Sequence, residues 1–165
     1  MSHKADFSDE EWAAIVRAPL VAGTAITLAD PGGPIEVVKE TGAVIKVVST
    51  TADEGRDDLV GEVAREVKTM AEHRENPLKG FKLERGGLAG KQILDELARV
   101  RGIVAAKSPE DAEALSQWLL ECAQRAAEAA KEGGFMGWKA VRVSEGEQKM
   151  LDELRGVLAP DTAQA

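Results

Sequence analysis

Residues 8–33 read SDEEWAAIVRAPLVAGTAITLADPGG, a complete helix start, a long small-residue helix and a tight acidic stop in succession. Ser8 and Glu11 stand at capping-box spacing: the hydroxyl accepts from the free amide of Glu11, whose carboxylate reaches back to the cap. Phe7 and Trp12 occupy the positions of a hydrophobic staple, which fixes how the chain enters the helix. The helix is expected to run to about Leu28, with a kink or break at Pro19, whose nitrogen has no hydrogen to donate. From Ala18 to Ala29 no face carries a charge, so the segment belongs in the middle of the fold. Gly23, with Ala22 and Ala25 beside it, leaves room for a second helix to approach closely.

The same design returns 101 positions later. Ala13, Ala22, Ala25, Ala29, Gly32 and Gly33 have identical counterparts in Ala114, Ala123, Ala126, Ala130, Gly133 and Gly134. Ser108-Pro109-Glu110-Asp111 opens the second copy with a cap residue, a first-turn proline and acids at the positive end of the dipole. Leu115, Leu119, Cys122, Ala123 and Ala126 follow on one stripe. Two readings are open: an internal duplication, or convergence of two alanine-rich helices on small residues.

Between these units the periodicity is helical. Pro34 suits a first turn, and Ile35, Val38, Val44, Ile45 and Val48 share a face, although the β-branched run 44–48 also suits a short strand. Helix is the expected state. Ser49-Thr50-Thr51-Ala52-Asp53 reads as the next start, and Leu59, Val63, Val67 and Met70 then mark an amphipathic helix that Asn76-Pro77 should end. A loop over 78–87 leads to another amphipathic stretch through Ile93, Leu97, Val100 and Val104. Ser144 and Glu147 form a second capping box, and a tail follows Pro160. The expected fold is all-α: a single compact bundle of about six helices. It would hold two pseudo-repeated helix–loop–helix units (7–48 and 108–158) around middle helices (53–106), with a tail at 159–165.

Composition narrows the function classes. A chain of 165 residues with 44% hydrophobic and 30% charged side chains can bury a core without cross-links. Its net charge of −8 opposes nucleic acid and anionic membrane surfaces, and favours basic partners or divalent cations. Cys122 is the only cysteine, so neither an internal disulfide nor a thiolate zinc site can form. The twelve uncharged residues from Ala18 to Ala29 fall short of the roughly 20 needed to span a bilayer, and the N-terminus lacks a signal-peptide core. A cytoplasmic protein with no transmembrane segment is therefore expected.

Several motifs fail on inspection. Gly86-Gly87-Leu88-Ala89-Gly90-Lys91-Gln92 lacks the spacing of a phosphate-binding loop, and Gln92 stands where a magnesium-holding hydroxyl is needed. Met70 stands three residues before His73, so the Glu-x-x-His pairing of a di-iron site is not encoded. Cys122 falls on an apolar stripe and reads as a small buried hydrophobe.

The two loops leave carboxylates near turns: Asp30, Glu36 and Glu40 in the first unit, and Glu132, Glu145 and Glu147 in the second. Hard cations take several such oxygens, whereas the plain structural reading makes Asp30 a turn residue and Glu145 and Glu147 helix-start acids. Phe135 and Trp138, large apolar residues in a glycine-rich stretch, either fold under their loop or contact a partner.

Ala129-Ala130-Lys131-Glu132-Gly133-Gly134 followed by Val143-Ser144-Glu145-Gly146-Glu147 resembles the TerB-like helical domains, chiefly over residues 8–48 and 108–158. Lys131 stands where that pattern has an aspartate, and the segment 135–142 lengthens the loop. The resemblance implies an all-α pseudo-repeat, a link to tellurite resistance and stress, and metal binding by Asp30, Glu36, Glu132, Glu145 and Glu147. The expected function is a non-enzymatic, stress-related accessory protein acting through protein contacts, with a divalent cation as the only cofactor suggested. A small carboxylate- or metal-dependent enzyme and a structural homo-oligomeric module are the alternatives.

Overall fold

A computed structural model describes residues 4–30, 34–84, 88–129 and 143–159. Among them are a short 3-10 turn, Lys4–Asp6, and six α-helices: α1 (Asp9–Ala29), α2 (Pro34–Asp53), α3 (Leu59–Glu72), α4 (Ala89–Lys107), α5 (Pro109–Ala129) and α6 (Glu145–Leu158). The described chain is an all-α bundle, and 44–48 is helical rather than extended.

Both capping boxes form as the spacing predicts. Ser8 N–H donates to Glu11 at 2.7 Å and Ser144 N–H donates to Glu147 at 2.7 Å, each hydroxyl accepting the return bond. The staple also closes, with the Phe7 and Trp12 rings 6.2 Å apart. Lys107 locks this end by pairing with Glu11 at 2.6 Å, which holds the Glu11 carboxyl below the usual range.

Helices α1 and α5 are each 21 residues long and pack against one another and against every other helix of the bundle. The remaining four surround them, α3 lying on the α2 side and α4 against α1, α5 and α6. The matched pairs Ala22/Ala123 and Ala25/Ala126 are all fully buried, as small residues must be where two central helices approach. Gly23 serves the α2 side: a Cβ there would stand 2.6 Å from the Val44 Cγ2. Thr27 on α1 donates to the buried carboxylate of Glu40 on α2, a second tie between the same helices. Across α1 and α4, Arg17 grips Glu96 at 2.6 Å with both side chains only 11% exposed, and its guanidinium stacks 5.9 Å from the Phe81 ring. Helix α1 also meets the length and composition of a membrane span, with a mean hydropathy of 1.5, and 67% of that window is buried inside the bundle.

Three boundaries differ from the sequence expectations. Pro19 does not break α1, which is one continuous helix with the proline buried inside it. The missing donor removes one bond, a cost of about 3 kcal/mol, and burial of Ile15, Val16, Ala18, Leu20 and Val21 around it offsets that loss. Residues 49–53 are the last turns of α2, not a new start, because Thr51 and Ala52 are buried against the bundle. The cap of α3 is Asp58, whose carboxylate accepts from Gly61 N–H at 2.9 Å. Helix α3 also ends before Asn76-Pro77. His73 is its C-cap, Arg74 takes a left-handed φ of 58°, and Arg74 and Glu75 N–H bond back to the Ala71 and Met70 carbonyls at 3.1 and 2.8 Å. That is a Schellman closure with arginine where glycine is usual.

Candidate functional site

The acids singled out from the sequence do not assemble into a cation cage among the described residues. Asp30 is the exposed C-cap of α1, its N–H bonded to the Ile26 carbonyl at 3.3 Å. Glu145 is exposed in the first turn of α6, and Glu147 is buried with its carboxylate engaged in the capping box. Glu40 is buried between α1 and α2. Glu132, Phe135 and Trp138 lie outside the described residues, as does the Glu36 side chain. No group of three or more His, Cys, Asp or Glu side chains suited to a metal occurs among the described residues. The structure does bring the first helix of the first unit and the second helix of the second unit to one corner. A Cβ on Gly146 would stand 2.6 Å from the Ala29 carbonyl oxygen, so α6 begins against the end of α1, beside Asp30.

A large concavity lies elsewhere among the described residues, between α2 and α5, with a volume of about 620 Å3. On α2 its wall comprises Ala43, Lys46, Val47, Thr50 and Thr51, which recur every three or four residues and therefore share one helical face, and Glu54 and Arg56 continue it past the end of the helix. On α5 the wall runs through Ala114, Gln117, Trp118, Glu121, Arg125 and Glu128 with the same periodicity. Trp118 Nε1 donates to Thr51 Oγ1 at 3.0 Å, and both residues are buried. That bond crosses from one wall to the other and leaves the indole as a satisfied aromatic floor.

The rims are charged. On α5, Arg125 pairs with Glu128 at 3.2 Å and with Glu121 at 4.0 Å, an acid–base–acid ladder along one exposed edge. Past the end of α2, Arg56 forks onto Asp58, with Nε–O distances of 3.1 Å and an Nη2–O distance of 2.5 Å. The fork drives the Asp58 carboxyl below the ordinary aspartate range and the guanidinium above its own. Gly61 makes room for this turn, since a Cβ there would collide with the Arg56 carbonyl.

Cys122, one turn beyond Trp118 on α5, is fully buried, and loss of solvent pushes its thiol well above the usual range. It is inert packing material, as its place on the apolar stripe predicts. His73 is exposed at the end of α3. The groove itself escaped the sequence reading. Its one sequence signal is Trp118, a large aromatic three residues after Leu115 and four before Cys122, on the flank of a small-residue stripe next to polar Gln117 and Glu121. Lys46 and Glu54 carry no motif at all. No family model matches the chain, and no curated protein and no solved structure matches it either.

Proposed function

We propose that this chain is a non-enzymatic, cytoplasmic accessory protein that acts by holding a segment of a protein partner in the α2–α5 groove. The carrying observation is the Trp118–Thr51 hydrogen bond, which presents a fixed, satisfied aromatic surface at the bottom of a charged-rimmed trough. Rigid aromatic anchors with a polar surround are the usual energetic centre of a protein contact. The side chains around it support binding over reaction: Arg125, Arg56 and Trp118 already have partners, and the single thiol is buried and protonated. The resemblance to TerB-like domains supplies the stress-related context of the reading.

A photo-crosslinking residue at Thr50, on the groove rim, tests this. A discrete adduct in the source cell that disappears when Trp118→Ala is added, and that a probe at the exposed Arg99 does not give, is expected. Adducts that form equally from both positions, or that survive the Trp118 change in a folded protein, would overturn it.

Cation binding at the α1–α6 corner is a second reading, favoured by the approach of Gly146 to the Ala29 carbonyl beside Asp30. Calorimetric titration of the chelated protein with calcium, magnesium, zinc and manganese decides it: heat that Asp30→Asn abolishes supports the reading, and no heat from any of them removes it.

A further inference from the structure

We infer that residues 76–84, between α3 and α4, form a strap that opens and closes over α1 as one unit, with Arg17 as its catch. This conformational device shares no residue with the α2–α5 groove and stands independently of it.

The strap is folded on itself. Asn76 Oδ1 accepts from Leu78 N–H at 3.0 Å, the Asn76 carbonyl accepts from Lys79 N–H at 3.0 Å, and the Leu78 carbonyl accepts from Phe81 N–H at 2.9 Å. Among the described residues a single hydrogen bond joins it to a helix, from Glu84 N–H to Gln92 Oε1 on α4 at 2.8 Å. Asn76, Lys79, Gly80, Lys82 and Glu84 are exposed, while Leu78, Phe81 and Leu83 are half-buried against the core. A segment whose hydrogen bonds are mostly its own, and whose apolar contacts are few and shallow, leaves the surface at far lower cost than the bundle unfolds.

Arg17 supplies the catch. From one side its Nε and Nη2 donate to Glu96 Oε1 at 2.9 and 2.6 Å, which fixes the plane of the guanidinium. From the other, the Phe81 ring lies 5.9 Å from the guanidinium carbon. Gly80, at a left-handed φ of 87°, turns the strap where a Cβ would stand 3.8 Å from Arg17 Nη1. The ring keeps water from the ion pair, and the ion pair holds the cation in place for the ring, so the two contacts strengthen each other. Leu78 stands in the wall of a cavity of about 50 Å3 between α1 and α2, opposite Leu20 and Thr24. Arg17, Leu20 and Thr24 share one face of α1, and opening the strap uncovers that face. The other side of the helix, through Ala18, Val21, Ala22 and Ala25, stays fully buried in the bundle.

Native-state hydrogen exchange of the full chain tests this at the amides of Leu78, Lys79, Phe81 and Glu84. All four should share one protection factor, well below that of the Leu119 and Cys122 amides in α5. Phe81→Leu keeps an apolar side chain and removes the ring, so it should lower the four factors together by about fivefold and leave α5 unchanged. Lys82→Ala, an exposed strap residue away from Arg17, should change none of them. A cysteine probe reads the uncovered face: Thr24→Cys should be alkylated about fivefold faster in the Phe81→Leu background, while Cys122 stays unreactive in both. Strap amides that exchange without protection, that differ widely among themselves, or that exchange in step with α5 would overturn the inference. So would a Phe81→Leu change that leaves the four amides or the Thr24→Cys alkylation rate as they were.

Discussion

Trp118 and Thr51, 67 positions apart in the chain, meet in a buried 3.0 Å indole-to-hydroxyl hydrogen bond that pins α5 to α2 at the base of the groove. It is the one described point where the groove floor is fastened by a side-chain bond between its two walls. Thr51→Val keeps the shape and removes the acceptor, leaving a buried N–H unsatisfied. We predict a loss of about 1–3 kcal/mol in urea unfolding. Trp118→Phe in the Thr51→Val background should cost less than the sum of the two single changes, since no donor is then stranded.

Gly23 on α1 and Gly146 on α6 mark two close approaches, the first to the Val44 side chain of α2 and the second to the backbone at the end of α1. Their missing Cβ atoms would sit 2.6 Å from Val44 Cγ2 and from the Ala29 carbonyl oxygen respectively. Each change to alanine should destabilise the fold by about 1–3 kcal/mol in denaturant melts. Gly146→Ala should be the worse tolerated, because a backbone carbonyl cannot rotate aside as a valine methyl can. Gly102, with nothing within 4 Å of its Cβ position, is the control and should gain a little stability as alanine.

Arg74 occupies a left-handed conformation with φ 58° at the end of α3 and is exposed. A side chain in that region costs about 1–2 kcal/mol. Part of the relief from Arg74→Gly is lost to the greater freedom of glycine in the unfolded chain. The expected net gain is about 0.5–1 kcal/mol, read as a higher Tm.

Asp58 gives the fold an acid-sensitive joint. Its carboxyl is held below the ordinary value of 3.8, first by the Arg56 hydrogen bond and also by the Gly61 N–H. A depressed folded-state pKa adds stability that is present above the unfolded value and is lost as pH falls through it toward the folded one. Unfolding followed between about pH 6 and pH 3 should therefore show wild type losing part of its margin over Asp58→Asn in the acid range. Asparagine keeps the cap geometry without the titrating group. A constant difference across the range would refute the assignment.

Much of the fold was legible in the sequence because helix signals are local. The two Ser-x-x-Glu boxes, the Phe7–Trp12 staple, the Ser108-Pro109 start and the 3–4 spacing of Leu59, Val63 and Val67 each involve residues within one or two turns. Where the signals misled, distant packing had intervened. Pro19 argued for a kink or break, and burial on both sides excludes the break by carrying α1 through it as one helix. Ser49-Thr50-Thr51 looked like a start, but Thr51 is a partner for an indole on another helix and stays helical. Asn76-Pro77 promised the end of α3, whereas backbone bonds through Arg74 close it earlier.

The candidate site was barely legible. Attention to carboxylates in the loops pointed at Asp30, Glu145 and Glu147, and the last of these is occupied as a cap. The groove is made of two faces, each an ordinary amphipathic pattern when read alone. The sequence by itself determined that the chain is helical, where most helices begin, and that the first and fifth are the small-residue helices suited to the centre. Only the tertiary structure decided that α2 and α5 leave a trough between them with Trp118 as its floor and Lys46 and Glu54 on its rim. Capping and periodicity depend on neighbours a few residues away, while a groove depends on which faces meet, and that follows from packing the whole bundle at once.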